Sequence, residues 1–192
     1  KLISAVAMFY DLKDPVLFMK KVKSILSYNG IFHIEVAYLP EIIKTFAYDG
    51  FCQEHYEYYS LISLSYLCKK TNMRIIDFGF NNINGGSIWI NVSHSDSKFN
   101  FNDSKLKKQI SYEKRKKINQ QKTFKIFFKK VYKHAYNINS ILRRLKNKQK
   151  NIYGFGASTK GNVLLQIAKI DNNLINAVFD VNKEKFNKFI LH

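Results

Sequence analysis

Cysteine is scarce in this chain, which has two cysteines among its 192 residues. Cys52 and Cys68 form no CxxC pair and show no other spacing that is typical of zinc ligands. The sequence therefore excludes a disulfide framework, and no metal site is predicted within these residues. Reduced thiols are typical of a cytoplasmic protein, and this is the location that we expect.

Long apolar runs are absent as well. The longest ones have the length of a β-strand, far short of the roughly 18 residues that a membrane span needs, so no membrane partner is predicted. No small-residue cleavage site follows the short apolar run at the N-terminus, and we expect no signal peptide. The chain is nevertheless 46% hydrophobic and 15% aromatic, which predicts a buried core and not a disordered tail.

Acidic residues are few: 14 Asp and Glu stand against 32 Lys and Arg, and the net charge is +18. Such an excess invites a nucleic-acid-binding interpretation. The simpler interpretation is compositional, because Lys, Asn and Ile are abundant together, as an AT-rich genome would produce. We therefore predict no nucleic-acid partner.

Hydrophobic patterning in the first half predicts a parallel β-α-β unit. A buried strand is predicted over 2–9, a helix from Asp14-Pro15 to about residue 27, and a second strand over 31–38. A short exit turn between a helix and the next strand implies parallel strands. A further helix is predicted from about Glu54 to Lys70.

The remainder predicts a hairpin, a helical segment and a second β-α-β unit. Strands over 74–80 and 87–93 are joined by NNINGG, and a basic helical segment follows from 103 to about 146. Then come a strand over 151–155, a helix over 161–169 and a strand over 177–180. The predicted fold class is α/β, with a parallel sheet that ends in an antiparallel hairpin, a helical connector and the start of a second Rossmann-like domain.

The loop YGFGASTKGN lies where the second unit's first strand turns into its helix. Glycines there let the backbone approach a phosphate, and the helix N-terminus supplies N–H groups. It is not a Walker A loop, because Lys160 precedes Gly161. Asp180 ends the next strand, where an acidic residue can hold a ribose. The alternative is a tight turn without a ligand.

Three further stretches carry candidate site residues, each with a structural alternative. Tyr10 and Asp11 follow a strand and are candidates for a ligand rim, or part of a helix-capping turn. NGGS, residues 84–87, is most simply a hairpin turn, although it can bring Asn84 and backbone amides to a substrate. Glu54-His55 is either an acid-base pair or a surface pair at a helix N-terminus.

A resemblance to a known family rests on four ordered stretches: AMFYDLKDP, FCQEHYEYYSL, NNINGGSIWI and YGFGASTKGN. Together they resemble the S-adenosylmethionine-dependent C-methyltransferases that act on nucleotide-linked deoxysugars. The resemblance covers nearly the whole chain except the basic helical segment. It implies that 1–97 is the second half of a class I methyltransferase domain, 98–148 a helical connector, and 149–192 the start of a C-terminal Rossmann-like domain.

The resemblance also implies what lies outside this chain. These are a cysteine-rich N-terminal domain that binds zinc, the main S-adenosylmethionine loop and the acidic residue that holds its ribose. We therefore expect the chain to be a fragment that is inactive alone.

The implied chemistry assigns roles to the candidate residues. His55 removes the C3 proton of a nucleoside-diphosphate 4-keto sugar, Glu54 is its partner, and the enolate attacks the sulfonium methyl. Phe9 and Tyr10 are implied as cofactor-binding residues, with Tyr10, Asn84 and Ser87 as possible donors to the enolate. The implied substrate-binding residues are Tyr10, Asn84, Gly85, Gly86, Ser87, Gly154, Gly156, Ser158, Thr159, Lys160 and Asn162.

The sequence departs from the family's residues at one place, and two alternative functions remain open. Some family members carry Tyr and His where this chain has Cys52 and Gln53, which leaves the sugar and the second catalytic group open. The first alternative is a related enzyme that acts on another acceptor, or a nucleotide-sugar enzyme that uses a dinucleotide at the second glycine loop. The other is a basic nucleic-acid-binding module without catalysis.

Overall fold

The computed structural model describes residues 1–101 and 103–190 and divides the chain into two compact units. The first contains Lys1–Ala47 and Gln53–Thr123, and the second contains Tyr48–Cys52 and the chain from Phe124 onward. The domain limits at 97/98 and 148/149 stay a prediction.

The first unit is built on a four-stranded mixed sheet. Its strands are β1 (Leu2–Val6), β2 (Ile31–Ala37), β3 (Met73–Asn81) and β4 (Ser87–His94). Their order is β1-β2-β4-β3, with β1 parallel to β2 and β4 antiparallel to both of its neighbours. The predicted α/β class, a parallel pair followed by an antiparallel hairpin, is confirmed.

Helix α1 (Pro15–Ile25) begins where the sequence predicts. Pro15 occupies the first turn, and Asp14 Oδ1 accepts a hydrogen bond of 2.8 Å from Leu17 N. Helix α2 (Leu39–Thr45) was not predicted; only Tyr38 separates it from β2, and Phe46, whose φ is +61°, caps its C-terminal end.

Helix α3 (Leu61–Lys70) is shorter than predicted. Ser60 accepts from Ser63 N while Ser63 Oγ accepts from Ser60 N, which is a capping box that begins the helix at Leu61. Residues 54–60 are therefore a loop, and the alternative that Glu54-His55 is a pair at a helix N-terminus is wrong. The basic segment contributes α4 (Asp103–Arg115) and α5 (Gln121–Asn147), so its predicted helical character is confirmed.

The core of the first unit lies on one face of the sheet. Alternate residues of the central strands point into it: Phe32, Ile34 and Val36 from β2, and Ile88, Ile90 and Val92 from β4. Helices α1 and α3 supply buried partners such as Met19 and Leu64. Cys68 is also buried here, and burial raises the pKa of its thiol to about 12, which keeps it protonated.

The hairpin pairs a glycine with a tryptophan. Gly79 on β3 lies opposite Trp89 on β4, and a Cβ added to Gly79 would stand 2.4 Å from Cζ2 of the indole. The absence of a side chain at Gly79 lets the indole lie over the strand, where its ring is also stacked with His33 at 6.1 Å.

The second unit contains most of α5 and a small β-α-β motif of β5 (Tyr153–Phe155), α6 (Thr159–Ile167) and β6 (Ala177–Phe179). The two strands are parallel, with Gly154 opposite Val178, which confirms the predicted second β-α-β unit. Asn139 Nδ2 on α5 donates to Ala168 O at 2.7 Å, just after α6. Within residues 1–101 and 103–190, no helix has the length and apolar character to cross a membrane.

Candidate functional site

The topology of the first unit brings the turn after β1, the residue after β2 and the hairpin turn to one edge of its sheet. The turn Phe9–Asp11 follows β1, and Tyr38 follows β2, so both lie at the carboxyl ends of parallel strands. Because β4 is antiparallel to β2, its first residue Ser87 lies opposite Ala37, at the same edge. Ligands bind at this edge in open α/β sheets.

The loop that carries His55 is fastened to the turn after β1. Tyr56 N and Glu57 N both donate to Tyr10 O, at 2.9 and 3.1 Å. The half-buried His55 imidazole packs on the Tyr10 ring with a centroid distance of 4.2 Å. Backbone hydrogen bonds and ring packing thus fix the position of the candidate base.

The carboxylate that lies near this imidazole comes from another segment. Asp11 Oδ1 is 3.9 Å from His55 Nε2, with the histidine side chain 23% exposed. That distance suits an ion pair with a protonated imidazole more than a hydrogen bond. Glu54, which the resemblance pairs with His55, is exposed. The sequence places Asp11 on the ligand rim but does not reveal its proximity to His55.

Phe9 does not present its ring to this edge. It is 0% exposed and packs against Phe18, Phe32 and Tyr59. A cofactor can contact only the backbone of Phe9 without rearranging the core.

The hairpin turn has one exposed and one buried half. Asn84 and Gly85 are exposed, with φ values of +54° and +85°. Gly86 has a φ of +120°, and an added Cβ would lie 2.6 Å from Cγ of Glu41. Ser87 is buried and its Oγ donates to Ile83 O at 3.0 Å, so this hydroxyl serves the turn itself.

The glycine loop of the second unit satisfies several of its own donors. Gly156, with a φ of +96°, donates its N–H to Phe179 O at 2.7 Å. Ser158 Oγ accepts from Gly161 N at 3.1 Å and caps α6. Lys160 Nζ lies 4.0 Å from Asp49 Oδ2, and the buried Asn162 Oδ1 has no hydrogen-bond partner among the described residues.

Asp180 holds this loop together. Its carboxylate accepts from Ala157 N and Asn182 N, both at 2.8 Å, and from Lys185 Nζ at 3.0 Å. These bonds, that of Asn182 foremost, lower the pKa of Asp180 to about 2. The group that could hold a ribose is thus committed to the loop backbone.

We expect this carboxylate to titrate at unusually low pH. Because its folded pKa lies below the usual ~3.9, its bonds stabilise the loop above about pH 4 and are lost as the pH falls through about 2. In an NMR titration the Ala157 amide proton should shift with a midpoint near 2, and the shift should vanish in Asp180→Asn. A midpoint near 4 would contradict the described contacts.

The sequence did not predict a role for two residues of the first unit, Tyr38 and Glu113. Glu113 on α4 is fully buried and accepts a hydrogen bond of 2.5 Å from Tyr38 Oη. A signal existed, because helical spacing places Glu113 on the same face of α4 as Leu106 and Ile110, which pack on the core. The strong lysine bias around it concealed that pattern.

Metal ligation finds no support in the described part of the chain. No group of three or more His, Cys, Asp or Glu side chains there is arranged to hold an ion. The zinc that the resemblance implies belongs to a domain outside these residues, so that expectation stays a prediction.

The chain is similar to known C-methyltransferases. A family profile described as "C-methyltransferase C-terminal domain" matches residues 82–191, a range that includes β4, the basic helical segment and the second β-α-β unit. The C-methyltransferase NovU of Streptomyces niveus is 25% identical over 169 residues. That alignment covers 88% of this chain but 40% of NovU. The chain belongs to the C-methyltransferase family that this C-terminal domain defines.

Proposed function

We propose that the full-length protein transfers a methyl group from S-adenosylmethionine to C3 of a nucleoside-diphosphate 4-keto-deoxysugar. The observation that carries this proposal is the fixed imidazole of His55, held by Tyr10 beside Asp11 at the ligand-binding edge of the sheet. Family membership and the similarity to NovU support methyl transfer to carbon. The C3 position and the sugar rest on the resemblance of the four ordered stretches.

The proposed reaction needs a general base and groups that stabilise negative charge on the sugar. A ketone at C4 acidifies the C3 proton, which His55 Nε2 takes as general base. The Asp11 carboxylate lies 3.9 Å from this nitrogen, so its negative charge faces the proton that His55 accepts. Bound S-adenosylmethionine would supply an electrophilic methyl on its sulfonium; C3 of the enolate would take this methyl as the S–CH3 bond breaks, with S-adenosylhomocysteine as the leaving group.

The developing enolate oxygen needs hydrogen-bond donors. The Tyr10 hydroxyl and the Asn84 amide are the candidates at the correct edge, whereas the Ser87 hydroxyl already donates to Ile83 O. In the second unit, Thr159 and Lys160 remain the proposed nucleotide-sugar contacts. Other polar groups of the loop are already used within it: the Gly156 N–H donates to Phe179 O, Ser158 Oγ caps α6, and the Ala157 N–H donates to Asp180.

Deuterium exchange tests the first chemical step separately from methyl transfer. The full-length protein is incubated in D₂O with a nucleoside-diphosphate 4-keto-deoxysugar and S-adenosylhomocysteine, and C3 deuteration is followed by mass spectrometry. We expect exchange at C3 and, with S-adenosylmethionine instead, addition of one methyl group. Binding of NAD without either reaction would instead support a dinucleotide-dependent enzyme.

A pair of conservative substitutions identifies the carboxylate that assists His55. Asp11→Asn should lower C3 exchange by about tenfold, because it removes the charge that faces Nε2. Glu54→Gln should change the rate by less than about twofold, because this side chain is exposed. The opposite ranking in the same exchange assay would restore Glu54 as the partner.

A further inference from the structure

We propose that Glu113 is a positioning residue for the loop that carries His55, and this role rests on the proposed function above. Glu113 lies on α4, in the segment that the sequence analysis treats as a connector. Its side chain is 0% exposed. A buried carboxylate is costly unless its oxygens are hydrogen-bonded, so its contacts indicate what it stabilises.

Both oxygens of Glu113 are occupied. Oε1 accepts from Tyr38 Oη at 2.5 Å and from Leu61 N at 2.8 Å, and Oε2 accepts from Ile62 N at 2.9 Å. Leu61 and Ile62 form the first turn of α3, where unpaired N–H groups and the helix dipole favour an anion. The carboxylate therefore joins α4, the end of β2 and the start of α3.

Tyr38 extends this junction to the ligand-binding edge. Its backbone N–H donates to Gly86 O at 3.0 Å, and the following N–H, that of Leu39, donates to Tyr59 O at 2.9 Å. Burial and the Glu113 hydrogen bond raise the pKa of Tyr38, so its phenol remains a donor. Gln109 Nε2 donates to the same phenol oxygen at 2.8 Å.

The loop that carries His55 is thus held at two points. Tyr10 O binds the amides just after His55, and the Tyr38–Glu113 junction binds Tyr59 and the residues that follow Ser60. Loss of the second anchor would leave the loop dependent on the two hydrogen bonds to Tyr10 O, which would then open more often. The imidazole would then lose its fixed position relative to Asp11.

Helix capping alone does not account for Glu113. Ser60 and Ser63 already form a capping box at the start of α3. An apolar side chain would fill a buried position at lower desolvation cost. Glu113 additionally links the start of α3 to Tyr38 through hydrogen bonds. Tyr38 in turn contacts the hairpin turn at Gly86 and the loop at Tyr59.

The test is Glu113→Gln in the full-length protein, compared with Val22→Ala, a buried substitution on α1. Glutamine keeps the volume but sets an N–H against a backbone N–H. Hydrogen exchange of the Tyr56 and Glu57 amides, measured without substrate, should rise about tenfold. The value of kcat should fall about tenfold while KM changes less than about twofold.

Two outcomes separate the inference from the proposed function. If the wild-type protein methylates no sugar but amide exchange still rises in Glu113→Gln, the positioning role stands and the proposed function fails. If exchange at Tyr56 and Glu57 rises equally in Val22→Ala, Glu113 contributes general stability and the inference is wrong. Should Glu113→Gln not fold, Tyr38→Phe removes one of the three donors and is expected to change exchange in the same direction.

Discussion

We expect His55→Ala in the full-length protein to lower C3 exchange and methyl transfer by about 10²–10⁴-fold, the usual contribution of a general base. The His55 imidazole packs on Tyr10 and lies 3.9 Å from Asp11, so its loss removes the proposed base from the site. The affinity for S-adenosylmethionine should change by less than about twofold, because the base acts on the sugar. Calorimetry and the exchange assay measure the two quantities separately.

The matched control is His33→Ala. His33 is also a half-buried histidine of the first unit, but it lies within β2 and its Nδ1 contacts Asn91 Oδ1 at 2.8 Å. Its removal should leave the rate of C3 exchange within about threefold of wild type, since it lies inside β2, opposite Asn91, and not at the carboxyl end of the strand. Wild-type exchange in His55→Ala would remove this residue from the role of base, and the proposed mechanism with it.

The second large effect is expected on stability. Phe9→Ala should lower the free energy of unfolding of the protein by about 3–5 kcal/mol, because it empties a fully buried aromatic position. The ring meets Phe18 and Phe32 edge-on at 6.0 and 6.3 Å, contacts that alanine cannot make. Urea unfolding measures the change, and Phe9→Leu should recover more than half of it.

This substitution also tests the cofactor role that the resemblance implies for Phe9. Leu17→Ala on the exposed side of α1 is the control, with an expected change within about 0.5 kcal/mol. At temperatures where Phe9→Ala remains folded, we expect nearly normal affinity for S-adenosylmethionine. A large loss of affinity without loss of stability would show that the ring contacts the cofactor.

Local patterns predicted most of the fold. The parallel β-α-β unit followed from apolar runs, from Asp14-Pro15 and from a short exit turn, and the hairpin followed from NNINGG. The predicted start of α3 was too early, because the aromatic residues of YEYYS are compatible with a helix. The capping box of Ser60 and Ser63 instead begins the helix at Leu61. The insertion of β4 between β2 and β3 depends on long-range pairing, which periodicity does not encode.

The candidate site was less predictable than the fold. Motif order placed Tyr10, His55 and Asn84 among the site residues, and topology brings their segments to one edge of the sheet. The sequence did not predict the partners of two carboxylates, Asp11 and Glu113. Asp11 is distant from His55 in sequence, and Glu113 comes from a helix whose lysines dominate its composition. Both arise from tertiary packing that brings separate segments together.

The fit between Gly79 and Trp89 restricts the order in which this hairpin can evolve. A Cβ at position 79 would stand 2.4 Å from the indole, so any larger residue there must follow a change at position 89. A smaller residue at 89, once Gly79 is present, leaves a gap that an alanine at 79 can partly refill. The two positions are therefore epistatic, and their substitutions among relatives should occur as a pair.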